Sequence, residues 1–104
     1  MNLQFLLFDH SEGGDDTGLF EAMAAVRPAQ AAAVEAEIAA VLDWASAHFG
    51  APVPVEDGGD WHAELQRSEE ADGSGALRQV FSLSLAGSAA FCAAFQSRFG
   101  DALA

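Results

Sequence analysis

At 104 residues the chain is the size of one domain, spanning 1–104, and with 51% apolar residues it lies outside the compositions of intrinsic disorder. Its net charge of −12 argues against nucleic acid and anionic membranes as partners, because both are bound through Lys or Arg that neutralise phosphate. The single cysteine, Cys92, excludes an internal disulfide and any cysteine-rich metal motif, so a cytoplasmic setting is the expectation.

The elements follow in chain order. Residues 2–9 are β-rich, with Leu3, Phe5 and Leu7 on one side and Gln4, Leu6 and Phe8 on the other, which predicts a first strand that is apolar on both faces. The segment lacks a basic flank and runs into Asp9, so it does not read as a signal peptide, and no run is long enough to span a bilayer. Residues 9–18 are polar and Gly-rich and predict a connection. Residues 19–26 fit two periods. Leu19, Phe20, Met23 and Val26 suit a helix with Thr17 as its cap, whereas Phe20, Ala22, Ala24 and Val26 alternate as in a strand.

Pro28 suits the first position of a helix over 28–49, with Val34, Ile38, Val41, Leu42, Ala45 and Phe49 as its apolar stripe and Gly50 and Pro52 as its stop. After a Pro- and acid-rich loop at 50–60, Trp61, Ala63 and Leu65 alternate with His62, Glu64 and Gln66 in a strand over 61–67. Turn residues fill 68–76, and a second alternating strand covers 77–85, completing a hairpin. Ser88 is placed to cap a last helix carrying Phe91, Phe95 and Phe99 on one face, ended by Gly100.

An offset of 57 (68 − 11) aligns Ser11, Glu12, Asp15 and Gly18 with Ser68, Glu69, Asp72 and Gly75, and Val34, Ile38 and Leu42 with Phe91, Phe95 and Phe99. This pattern suggests a duplicated ββα unit and tips residues 19–26 toward strand. The expected fold is therefore α+β, a two-layer sandwich in the order ββαββα, with a four-stranded antiparallel sheet and two helices on one face. The rival, with 17–26 helical, is a three-stranded βααββα arrangement.

Chemistry-bearing motifs are sparse. Asp9, Glu12, Asp15 and Asp16 concentrate oxygen ligands near His10, but their spacing misses the calcium-loop pattern, so they stand only as weak metal candidates and no cofactor is expected. His62, Glu64, Ser82 and Ser84 would share the sheet face away from the helices, where a base, an orienting acid and a nucleophile can be drawn, although alternation alone puts almost any residues side by side. No phosphate loop, dinucleotide fingerprint or nucleophile elbow is present, and no catalytic residue is assigned. Cys92 sits beside the Phe stripe in an acidic chain that offers little to activate a thiol.

Candidate partner-binding residues are Trp44, lying off its helix stripe, and the acidic run Glu56, Asp57, Asp60 and Glu64 with Trp61 and His62 among them. The leading expectation is a small non-catalytic interaction module, homodimeric through an uncovered sheet face. The alternatives are an acidic inhibitor or immunity-type protein that neutralises a basic partner, and a small metal-dependent or ligand-binding enzyme using the open face. All basic residues are Arg, and with abundant Ala and Gly this reads as the codon bias of a GC-rich bacterial genome.

Overall fold

A computed structural model of the chain describes residues 3–14 and 16–104. Four strands, β1 (Phe8–Glu12), β2 (Gly18–Val26), β3 (Trp61–Ala71) and β4 (Leu77–Gly87), form one antiparallel sheet in the order β1-β2-β4-β3. Two helices, α1 (Ala31–Phe49) and α2 (Ala89–Phe99), complete the ββαββα order. The alternation in residues 19–26 is therefore that of a strand. Gly18, Phe20, Ala22, Ala24 and Val26 are buried under the helices, and the intervening Leu19, Glu21, Met23 and Ala25 face away from them.

The core is a stack of aromatic rings between sheet and helices. Phe91, Phe95 and Phe99, one turn apart on α2, are all buried. Phe95 meets Phe8 edge-on at 5.1 Å and Phe20 at 4.2 Å, while Phe91 stacks parallel to Trp61 at 6.0 Å. Such pairs add about 0.5–1.5 kcal/mol each beyond the area they bury. From α1, Val34, Ile38, Val41 and Ala45 close the layer. Ser88 caps α2 by accepting the Phe91 N–H at 3.3 Å, and Pro28 begins a short 3-10 turn that leads into α1. The left-handed Gly50 (φ 78°) ends α1, its N–H returning to the Ser46 carbonyl.

The first strand differs from its sequence expectation. It occupies residues 8–12, and the apolar residues before it form a strap instead. The Glu37 carboxylate on α1 accepts the backbone N–H of Gln4 at 2.8 Å, of Phe5 at 3.1 Å and of Leu6 at 3.2 Å. Those donors would otherwise have entered a ladder. Leu6 is buried, and Leu3 and Phe5 pack against the core, so the apolar content serves coverage and not strand pairing. The polar residues 9–12 can be a strand because β1 is an edge that needs only β2 beside it.

The hairpins also run longer than the apolar alternation does. β3 continues to Ala71 through Ser68, Glu69 and Glu70, all exposed, since pairing with β4 requires backbone and not burial. Both connections are five-residue loops, 13–17 and 72–76. In register, Phe8↔Ala22 superposes on Arg67↔Phe81, and Glu12↔Gly18 on Ala71↔Leu77, an offset of 59 (67 − 8). The left-handed positions agree, Asp16 (φ 61°) with Gly75 (φ 84°), as do the closing bonds Gly13 N–H to Thr17 O and Asp72 N–H to Ala76 O. The ββα order thus recurs, but the Ser11/Ser68 and Gly18/Gly75 coincidences at 57 are not equivalent places in the two hairpins, and Asp15 lies outside the described residues. Only the helices keep the shorter offset, Val34 and Ile38 matching Phe91 and Phe95 as buried anchors.

Candidate functional site: an open acidic sheet face and two clefts

Because both helices lie on one side, the other side of the sheet is uncovered. Alternation and register place Asp9, Ser11, Leu19, Glu21, Met23 and Ala25 there from β1 and β2, and His62, Glu64, Gln66, Ser68 and Glu70 from β3. β4, in the middle, contributes Arg78, Val80, Ser82, Ser84 and Ala86. Met23 stands proud at 68% exposure, beside a concavity of about 520 Å³ lined with Ala25, Gln66, Ser68, Val80 and Ser82. The carboxylates of Asp9, Glu21 and Glu64 cross the face in one row, and Arg78 is turned to Asp72 in an ion pair. Asp72 is held below the usual carboxylate range, first by the Ser74 hydroxyl and then by backbone N–H groups of its turn.

Glu64 lies opposite Ser84, and His62 opposite Ala86, so the expected face-sharing of His62, Glu64, Ser82 and Ser84 holds. No side-chain hydrogen bond among the described residues joins these four, and His62 Nδ1 is buried without a partner. The arrangement thus lacks the base–nucleophile and orienter–base contacts that define a triad.

The candidate partner residues separate. Trp61 is 2% exposed; its ring stacks on Phe91 and its Nε1–H donates to the Gly50 carbonyl at 3.1 Å, so it offers no surface to a partner. Trp44 is half-buried at the rim of the core, within 6.1 Å of the rings of Phe49, Phe91, Phe95 and Phe99. Glu56 and Asp57 are exposed on a 3-10 turn at 55–57. Asp60 is anchored to the start of α2, accepting from the Ser88 backbone N–H and hydroxyl. Glu56 and His62 do come together, lining a cleft of about 330 Å³ with Leu19, Val55 and Ala86 at the loop end of the open face.

A second cleft of about 280 Å³ lies across the 13–17 loop, on the helix side. Its wall holds a grouping with no signal in the sequence, since 86 positions separate His10 from Gln96. His10 stacks on Phe20 at 4.6 Å, and its Nδ1 is 3.2 Å from Gln96 Nε2. Gly18 lets Cys92 and His10 approach: a Cβ there would meet Cys92 Sγ at 2.6 Å and His10 Nε2 at 3.2 Å. The Cys92 thiol donates to the Gly87 carbonyl at 3.6 Å, and burial, then the nearby Glu12 carboxylate, push its pKa up. The neutral thiol is favoured, which is the wrong direction for a nucleophile.

Of the metal candidates, Asp9 and Glu12 point to opposite faces of β1 and cannot converge, Asp16 is exposed in the loop, and Asp15 lies outside the described residues. Among the described residues no three His, Cys, Asp or Glu side chains gather as a metal site. No described helix is long and apolar enough to cross a membrane. A scan against protein-family models finds no match, and searches of curated proteins and of solved structures find none either.

Proposed function

We propose that this domain is a non-catalytic protein-interaction module that docks a basic protein partner on the open face of its sheet. One observation supports the reading most: an uncovered sheet face on which Leu19, Met23, Ala25 and Val80 lie among small Ser and Ala, crossed by the row Asp9, Glu21 and Glu64 and bordered by Glu70. Exposed apolar side chains interleaved with polar ones match the make-up of a non-obligate protein–protein site. These carboxylates select the sign of the partner and speed encounter with it. A cytoplasmic setting is part of the proposal.

A second copy of the chain is the other occupant that an uncovered sheet face accepts, and the homodimer remains the competing reading. Stacking two such faces brings carboxylates toward carboxylates, which weighs toward a heterologous partner.

The test couples light scattering with capture. At low and high salt the chain should scatter as a monomer. Immobilised protein should retain basic proteins at about 50 mM salt and release them near 0.5 M, as screening shortens the field. Met23→Glu with Glu64→Lys should abolish retention. A dimer that survives high salt and dissociates on Met23→Glu would replace this reading with the homodimer. Retention unaffected by both substitutions would remove the open face from consideration.

A further inference from the structure

A second candidate site lies away from both clefts, at the outer edge of β3. In an antiparallel ladder alternate residues aim N–H and C=O toward the same neighbour. The Trp61 carbonyl points outward, because it accepts the Val53 N–H at 2.8 Å from the non-β4 side. The β3–β4 register is unbroken from Trp61 to Ala71, so Ala63, Leu65, Arg67 and Glu69 repeat that orientation. Among the described residues Val53 alone pairs with this edge, and only at Trp61. Beyond it runs a row of backbone donors and acceptors with no protein partner. Among the described residues the opposite edge of the sheet is also bridged only at its first residue, where Ala104 N–H bonds the Phe8 carbonyl and Leu103 bridges Phe8, but β1 is five residues long against eleven in β3.

A free edge of this length is a template for an added strand, and its side chains decide which strand. On the open-face side an incoming strand passes Glu64 and Glu70; on the helix side it first passes Ala63 and Leu65, both half-buried. Arg67, the one cation along β3, is engaged by Glu35 of α1. The complementary sequence therefore alternates basic with apolar residues, basic over the open face and apolar toward Leu65. A second copy of β3 centred on Arg67 fits poorly, because that register sets Glu64 opposite Glu70 and the two arginines opposite each other, and like charges directly across strands destabilise.

We propose that the β3 edge accepts an extended basic–apolar segment of another protein, which joins the sheet as a fifth strand antiparallel to β3. This site is the backbone edge and not the open face, so it stands or falls independently of the docking reading above.

The probe is a capped heptapeptide alternating lysine and valine. Titrated into the intact protein, it should slow amide exchange at Ala63, Leu65, Arg67 and Glu69, leaving the neighbouring amides of Glu64, Gln66 and Ser68, already bonded to β4, little changed. The glutamate–valine peptide, and a lysine–valine peptide with a central proline, should bind at least tenfold more weakly. Arg67→Pro removes one outward N–H, a substitution edge strands tolerate, while making the chain more acidic. It should weaken binding at least tenfold, whereas Arg67→Ala, equally acidic but with its N–H, should bind as well as the parent or better. Equal binding by Arg67→Pro and Arg67→Ala would reduce the effect to charge attraction and overturn the proposal. Should Arg67→Pro fail to fold, the exchange pattern of the parent protein decides: no selective slowing at the four outward amides overturns it.

Discussion

At the scale of single residues, the glycines that matter are those where another group comes close. Gly87 closes β4 against α2, and a Cβ there would meet Phe91 Cδ1 at 2.3 Å and Cγ at 2.6 Å. Phe91 is fully buried, wedged among Trp61, Phe49 and Phe95, and has no empty space to swing into. Gly87→Ala should therefore destabilise the domain by about 1–3 kcal/mol, the usual cost of overpacking a filled core. Urea unfolding measures this as a lower midpoint at unchanged slope. Wild-type stability would mean that the α2 ring stack is looser than its distances imply. Gly18 presents a milder case, since the atom in its way is the end of the Cys92 side chain.

At the scale of elements, the strap over residues 3–7 carries the next expectation. Successive backbone N–H groups converge on the carboxylate of Glu37, a charge-assisted arrangement stronger than neutral bonds. Glu37→Ala removes the acceptor and leaves those donors to water, so the amides of Gln4, Phe5 and Leu6 should exchange much faster. The loss of stability should be about 1–3 kcal/mol, the range for losing bonds to a charged group. Unchanged exchange would mean that Leu6 burial alone holds the segment. This element also shows where sequence reading ended. Leu3, Phe5, Leu6 and Phe8 announced burial, which Leu7, 56% exposed, does not share, and a long-range acceptor 31 positions away from Leu6 decided against a strand there. The buried anchors of α1 and α2, and the alternation of β2, were legible because helical and strand periods report directly on burial. The exposed extension of β3 was not, because its residues bury nothing and backbone pairing leaves no hydropathy trace. The same holds for the site. Alternation revealed which side chains share the open face and set Trp61 with Ala63 and Leu65 on the other, whereas the partner-binding role suggested by the acids near Trp61 gives way to its stacking on Phe91 and its bond to Gly50. The grouping of His10, Cys92 and Gln96 depended on packing α2 beside the first hairpin, which no local pattern encodes.

At the scale of the whole molecule, charge acts on stability as well as on partners. Sixteen carboxylates face four arginines, and among the described residues only Arg67–Glu35 and Arg78–Asp72 form ion pairs. The remaining acids crowd one another on a body of 45 × 25 × 24 Å, and compaction brings them closer than they lie in the unfolded chain. Folding therefore works against repulsion that an expanded chain relieves. Salt shortens the reach of that repulsion from about 10 Å at 0.1 M to about 3 Å at 1 M, which is less than the spacing of most surface charges. The two exposed ion pairs weaken under the same screening, but such pairs contribute only about 0–1 kcal/mol each and are outnumbered by unpaired acids. The net sign is stabilisation by salt. Raising sodium chloride from about 0.05 M to 0.5 M should lift the melting temperature by several degrees, given roughly 4–8 °C per kcal/mol for a domain near this size. Sucrose at matched osmolality serves as the control for general exclusion effects, and Glu64→Gln with Glu70→Gln should shrink the salt response while raising the low-salt melting temperature. A melting temperature that falls with salt would mean that attractive pairs dominate this surface, and the acidic face would then be a folded network in its own right instead of a field held open for a basic partner.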